Sequence, residues 1–255
     1  MEAWQYPVVF VAGLAAGAVN ALAGGGSVIS FPTLLYAGIG PIVANATNTV
    51  ALWPGLAAAA YGYRGEIEGP SRRFLWLIAP SVAGGILGAL LLLHTPPEAF
   101  EVAAPYLVLF ATLLLALRDV LGKLRRRDQP IASSRTWWAA ASATQLVIAV
   151  YGGYFGAGIG ILMLASLGLL GFTDIHRMNG LKSIFALSIN GAALVYFIIG
   201  GIVLWPAVAA MAVGAVMRGF IASRGAYRIG RATVRKAVIS IGFAMTLALL
   251  ARLYL

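Results

Sequence analysis

Cysteine is absent from all 255 residues, which removes disulfide cross-links and thiolate chemistry from consideration. Acidic residues are scarce: 8 Asp and Glu stand against 18 Lys and Arg, and charged residues make up only 10% of the chain. A soluble domain carries roughly 25%. Every carboxylate (Glu2, Glu66, Glu68, Glu98, Glu101, Asp119, Asp128 and Asp174) falls in a loop or at the end of an apolar run. That placement excludes the mid-membrane acid relay of a proton pump. His94 and His176 also sit at run ends. No metal-ligand cluster and no Ser/His/Asp set shares a depth, so no catalytic residue, metal or cofactor is expected, and the chain does not read as an enzyme. The N-terminus lacks a basic n-region and a cleavage site, so no removable signal peptide is expected.

What is present is apolar. Hydrophobic residues make up 61% of the chain, more than a core of this size can bury, so lipid must cover the excess. The apolar runs are 8–38, 43–63, 74–93, 99–117, 137–171, 178–199, 202–221 and 237–251. The formal net charge of +10 sits between these runs. That is the pattern of cytoplasmic loops facing anionic lipid, not of nucleic-acid binding. Most runs suit one crossing of about 20 residues. Runs 8–38 and 137–171 are too long, and each is interrupted by glycine: Gly24-Gly25-Gly26-Ser27 in the first, and the stretch from Gly152 to Gly160 in the second. Glycine lowers helix stability by about 1 kcal/mol relative to alanine, so clusters mark unwound backbone.

The long runs occupy corresponding places, each followed by three ordinary runs. Ala23–Ser27 matches Phe155–Ile159 about 132 residues later, and Asn48 follows its break at about the distance at which Asn179 follows the second. The chain therefore divides into a first repeat (1–118), a basic linker (119–136) and a second repeat (137–255). Basic residues fix the orientation. Arg64, Arg72 and Arg73 lie in one loop. Arg118, closing the first repeat, is followed in the linker by Lys123, Arg125, Arg126, Arg127 and Arg135. Arg224, Arg228, Arg231, Arg235 and Lys236 lie in a third segment. Connections 39–44, 94–98 and 200–201 hold no Lys or Arg. All three basic loops reach the cytoplasm only if each long run enters and returns to its own side, from opposite faces in the two halves. Both termini are then outside. The returning arms 28–38 and 161–171 would be about 16 Å long, too short to span.

The tips of such hairpins would present helix N-termini and free amides, which attract anions. Ser27 is placed to cap its arm or to bind the ligand. Gly13, Gly17, Gly84 and Gly88 read as packing glycines instead. Asn45 and Asn48 share a helix face, and Asn179, Lys182, Ser183, Ser188 and Asn190 follow the second arm. Lys182 is the most deeply placed cation of a span, about one turn beyond Arg177, so it serves either a site or the interface. Arg218 reads as an interfacial anchor.

Asn20-Ala-Leu-Ala-Gly-Gly-Gly-Ser27 with Phe31-Pro32 and Ala44-Asn-Ala-Thr-Asn-Thr49 resembles the first repeat of the sulfite exporter TauE/SafE family. Gly156-Ala-Gly158 and Asn179-Gly-Leu-Lys182 resemble its second. The resemblance implies transport of sulfur-containing anions such as sulfite, C2 sulfonates or similar organic anions. It implies a substrate site at Asn20, Gly24, Gly25, Gly26, Ser27, Asn45, Asn48, Thr49, Gly156, Gly158, Asn179 and Lys182. The expectation is an all-α polytopic protein of the inner membrane. Two inverted-topology repeats, each a re-entrant hairpin plus three transmembrane helices, would move a small anion by alternating access. An anion channel of the same architecture is the alternative. The expected partners are the anion, the bilayer and, as an open case, further copies of the chain.

Overall fold

The computed structural model describes residues 1–22, 25–66, 74–117, 120, 134–223 and 231–254. Gly24, Arg72, Arg73, Arg118, Arg224, Arg228 and all basic residues of the linker except Arg135 lie outside the described residues, as do the side chains of Arg218 and Arg231. The described residues form helices and no strand. The first half contains α1 (Gln5–Leu22), α2 (Ser27–Tyr36), α3 (Pro41–Gly62), α4 (Ile78–His94) and α5 (Pro97–Ala116). The second contains α6 (Arg135–Tyr154), α7 (Ile159–Leu169), α8 (Ile175–Ile199), α9 (Trp205–Ser223) and α10 (Arg231–Tyr254).

Four stretches among the described residues are long and apolar enough to cross a membrane: Phe74–His94, Pro97–Ala116, Ile175–Ile199 and Arg235–Tyr254. The outward faces carry Val11, Leu87, Val147, Val195, Val213 and Leu247, all exposed. Only lipid suits such a surface, and the chain is a polytopic α-helical membrane protein. Helix α3 has 22 residues but is more polar than these stretches. Its Asn45, Thr47, Asn48 and Thr49 are buried against protein rather than turned to lipid.

Helices α1 and α6 have 18 and 20 residues, so they run about 27 and 30 Å. The returning arms α2 and α7 have 10 and 11 residues, about 15 and 16 Å. Each broken run thus has one long and one short helix. The second break is also narrower than its glycines suggest. Helix α6 continues through Gly152 and Gly153 to Tyr154. A methyl group on Gly153 would overlap the Gly85 carbonyl, and one on Gly152 would overlap Ile159. These two glycines permit close packing and do not unwind the chain.

The short arms end alike. Gly38 (φ 78°) and Gly171 (φ 95°) adopt left-handed backbone two residues beyond the helix. Ile39 N–H bonds back to Leu34 O, and Phe172 N–H to Leu167 O, both at 3.1 Å. A residue with a Cβ is disfavoured there, which is why glycine closes both arms.

Glycine also sets the closest helix crossings. Gly13 and Gly17 of α1 lie on the backbone of α9 at Met211 and Ala215, where a methyl would collide. Gly84 and Gly88 of α4 lie on α6 at Leu146 and Val150. Helix α1 thus packs on α9, and α6 on α4. Helices α3 and α8 pack together across the molecule, as do α5 and α10.

Candidate functional site

The two breaks meet one stretch of α5. Gly25 (φ 91°) faces Leu115, with 3.8 Å between a methyl on this glycine and Leu115 Cδ2. Gly158 (φ 77°) faces the preceding turn, where the same test gives 3.3 Å to Leu114 Cδ1 and 3.4 Å to Ala111 Cα. The arms also meet directly, because the Phe31 ring of α2 stands edge-on to Phe155 of the second break at 5.1 Å. Gly25 and Gly158, which precede the first turns of α2 and α7, thus both lie on α5 between Ala111 and Leu115.

At the first tip, Asn20 Oδ1 accepts the Gly26 N–H at 2.8 Å. Gly26 is the N-cap of α2, and a methyl on it would overlap the Ala16 carbonyl. Ser27 is the first residue inside α2, half-buried, and the N-cap Gly26 has no side chain with which to cap the helix. The capping role anticipated for Ser27 therefore falls to Asn20, six residues before Gly26 across the break. One turn into α2, buried Ser30 Oγ bonds Gly26 O at 3.2 Å and Asn48 Oδ1 at 2.6 Å. This serine ties the arm to α3. Its signal in the sequence is its place one helical turn beyond the N-cap glycine, on the face it shares with Gly26.

The second tip is organised differently. Gly156 (φ 78°) and Gly158 are left-handed, and Gly158 is the N-cap of α7. Tyr151 Oη reaches over the turn to donate to Ala157 O at 2.6 Å, bracing the break from the helix that leads into it. Among the described residues, no carbonyl or side chain accepts from the N–H groups of Ala157, Gly158 or Gly160. A methyl on Gly156 would stand 3.7 Å from Asn190 Oδ1, and one on Gly160 3.4 Å from Lys182 Cδ. The Lys182 stem therefore crosses the first turn of α7, and its Nζ donates to Asn179 Oδ1 at 3.1 Å. Asn45 reaches this tip from the other half: its Nδ2 donates to Tyr154 O, the last carbonyl of α6, at 2.8 Å.

Some expected members turn away. Thr49 Oγ1 bonds Asn45 O of its own helix at 3.0 Å. Asn179 lies on the first turns of α8 and gives its amide proton to Ile175 O at 2.9 Å. Its match is also not Asn48. Asn179 follows Ile175 at the start of α8 by the same interval as Asn45 follows Pro41 at the start of α3. Ser183 Oγ bonds Asn179 O just as Thr49 bonds Asn45 O. Counted from the helix starts, Lys182 stands where Asn48 does, three residues beyond Asn179 and Asn45 respectively. A cavity of about 90 Å³, lined in part by Gly40, Pro41, Glu101 and Arg252, lies toward the opposite end of α5 and touches none of these residues.

The family model described as Sulfite exporter TauE/SafE matches residues 9–249. A probable membrane transporter protein of Haemophilus influenzae is 28% identical over 94% of this chain and 92% of its own length. Probable membrane transporter protein ORF9 of a Sinorhizobium species is 28% identical over 95% of this chain and 91% of its own length. Probable membrane transporter protein YfcA of Escherichia coli K12 is 29% identical over 95% of this chain and 88% of its own length. No solved structure matches the chain.

Proposed function

Because the chain belongs to the sulfite exporter TauE/SafE family and is a membrane transporter, we propose that it is a secondary carrier of small sulfur-containing oxyanions or similar organic anions in the inner membrane. The observation that carries this reading is the convergence of two helix N-termini, from α2 and α7, on one stretch of α5. Backbone amides and partial positive charge face a low-dielectric interior there, where electrostatic attraction is stronger than in water. The substrate is held by the Gly25–Ser27 and Gly156–Gly160 backbone with Asn45, Asn48 and Lys182, while Asn20 occupies the Gly26 amide in its absence. Thr49 and Asn179 act one step back, holding Asn45 and Lys182.

The halves 1–118 and 137–255 are inverted repeats joined by the linker 119–136, and they rock against each other to expose the site alternately. Three features support this. Equivalent helices pack in equivalent ways, both short arms close on a left-handed glycine, and α3 and α8 share a side-chain bonding pattern. The orientation has both termini outside and the linker in the cytoplasm. Exposed aromatics suit it: Trp4, Tyr36 and Trp205 on the outer ends, Tyr61 and Trp76 on the inner. The Arg64 guanidinium lies 3.8 Å over the Tyr61 ring, an interfacial arrangement.

Counterflow of radiolabelled sulfite in proteoliposomes tests the function. The expected result is saturable uptake driven by sulfite loaded inside. Flux that rises without saturation and needs no internal substrate identifies a channel, and no anion flux at all overturns the reading.

A further inference from the structure

One buried polar atom of the site lacks a partner. Asn45 is 1% exposed, and its Oδ1 has no hydrogen-bond partner among the described residues. The amide cannot be turned to remedy this. Its nitrogen faces the Tyr154 carbonyl at 2.8 Å, and a flip would set two acceptors against each other. The oxygen shares a carbon with that nitrogen, so it stands at the end of α6, beside the second break. An unsatisfied buried acceptor is unfavourable, and it gains most from a group that brings a proton. The opposite demand stands a few residues along the same break from Tyr154. The amides of Ala157, Gly158 and Gly160 offer protons with no acceptor, and the Lys182 stem lies over the same turn.

A plain oxyanion satisfies these donors and leaves Asn45 Oδ1 unmatched. Resting on the anion-carrier reading above, we infer that the site selects anions that also carry an O–H or N–H donor, with the anionic oxygens on the α7 amides and the donor on Asn45 Oδ1. The substrate class narrows to hydroxylated or aminated sulfonates and carboxylates and to singly protonated oxyanions. Sites built to hydrogen-bond a ligand hydroxyl discriminate strongly against analogues that lack it, because their own polar atom is then left unpaired.

The test uses the purified full-length protein and two isosteric probes, 2-hydroxyethanesulfonate and propane-1-sulfonate, titrated by calorimetry. The hydroxylated probe is expected to bind about tenfold more tightly. In Asn45→Leu that ratio should fall to about one, whatever the change in absolute affinity. A purely structural role for Asn45 would weaken both probes and leave their ratio unchanged. Should Asn45→Leu fail to fold, Asn45→Ser supplies the same comparison, since its hydroxyl is too short to bridge the Tyr154 carbonyl and a ligand. A wild-type ratio near one, with propane-1-sulfonate still binding, overturns the inference and leaves the anion site standing. In that case a buried water serves Asn45. A tenfold ratio that survives at Asn45→Leu also overturns it, by placing the donor contact elsewhere. Binding of neither probe to the folded wild type overturns the anion-site reading together with this one.

Discussion

The two tips both present the first amides of a short helix and treat them in opposite ways. At the first, the N-cap amide of Gly26 is taken by Asn20, and the glycine is wedged on the Ala16 carbonyl. At the second, the N-cap amide of Gly158 and its neighbours at Ala157 and Gly160 have no acceptor among the described residues, and Lys182 lies alongside. The first tip answers its own electrostatic demand with a neutral side chain. The second leaves that demand open. On the proposed reading an anion would find its donors mainly at the second tip, while Asn20 competes for the donor at the first.

The most disruptive way to probe that contrast is to add a methyl group at each N-cap. Gly26→Ala drives Cβ into backbone that cannot yield, so a loss of about 3 kcal/mol or more is expected, with failure to purify as a folded protein at the extreme. Gly158→Ala meets only the end of the Leu114 side chain and Ala111, but it must hold φ at 77°. Its loss should be about 1–2 kcal/mol, the strain of a left-handed residue. Thermal unfolding followed by intrinsic fluorescence ranks the two. The reverse order would show that the second tip is the rigid one.

Lys182→Met is the next largest effect. Removing the ammonium beside the open amides should weaken binding of 2-hydroxyethanesulfonate about tenfold, with little change in melting temperature. A full-strength titration of the methionine variant would assign Lys182 to the membrane interface. Asn20→Ala should act in the other direction on binding. It removes a cap, which lowers stability by about 1 kcal/mol, and it frees the Gly26 amide for the ligand. Affinity that falls instead would make Asn20 itself a ligand contact.

Much of this architecture was legible in the sequence, and the failures have a common cause. Composition and run length show an all-helical membrane protein, because lipid must cover what a core cannot. The two breaks are visible because glycine clusters stand in otherwise apolar runs. The register of the repeat is less visible. Counting from the breaks pairs Asn48 with Asn179, whereas counting from the helix starts, where the hydrogen bonds repeat, pairs Asn45 with Asn179. The chain distances differ because the second short arm and the turn after it are each one residue longer than in the first half. Gly152 and Gly153 looked like part of the break and are helical, because glycine also serves close crossings, and only the partner helix decides between the two uses. The Tyr151 brace, the Ser30–Asn48 bond and the unpartnered Asn45 oxygen all depend on which helices become neighbours, and periodicity within one run carries no such information.

The helices that leave the short arms extend the contrast between the halves to a smaller scale. Helix α3 starts with Gly40 as N-cap and Pro41 behind it, and no side chain caps it. Proline lacks the N–H that a cap would satisfy, so this start needs no carboxylate. Helix α8 starts with Asp174, whose Oδ1 accepts from His176 N–H at 2.9 Å and Arg177 N–H at 3.4 Å. The His176 N–H bond, followed by the Arg177 amide and the charges of Arg177 and His176, holds the Asp174 carboxyl below its ordinary value. A group whose folded value is depressed contributes stability that is complete above its unfolded value, near pH 4, and is lost as pH falls through the folded one. The second half should therefore loosen in acid at the start of α8, while the start of α3 stays indifferent. In Asp174→Asn the cap persists as a neutral acceptor, so the acid-dependent part should vanish while the helix remains. Hydrogen exchange of the first turns of α3 and α8 between neutral pH and about pH 3 reads the difference directly. Protection should fall selectively at α8 in the wild type and stay flat in Asp174→Asn. Equal loss at both helices would mean that acid acts through some other carboxylate and that the two starts are electrostatically alike.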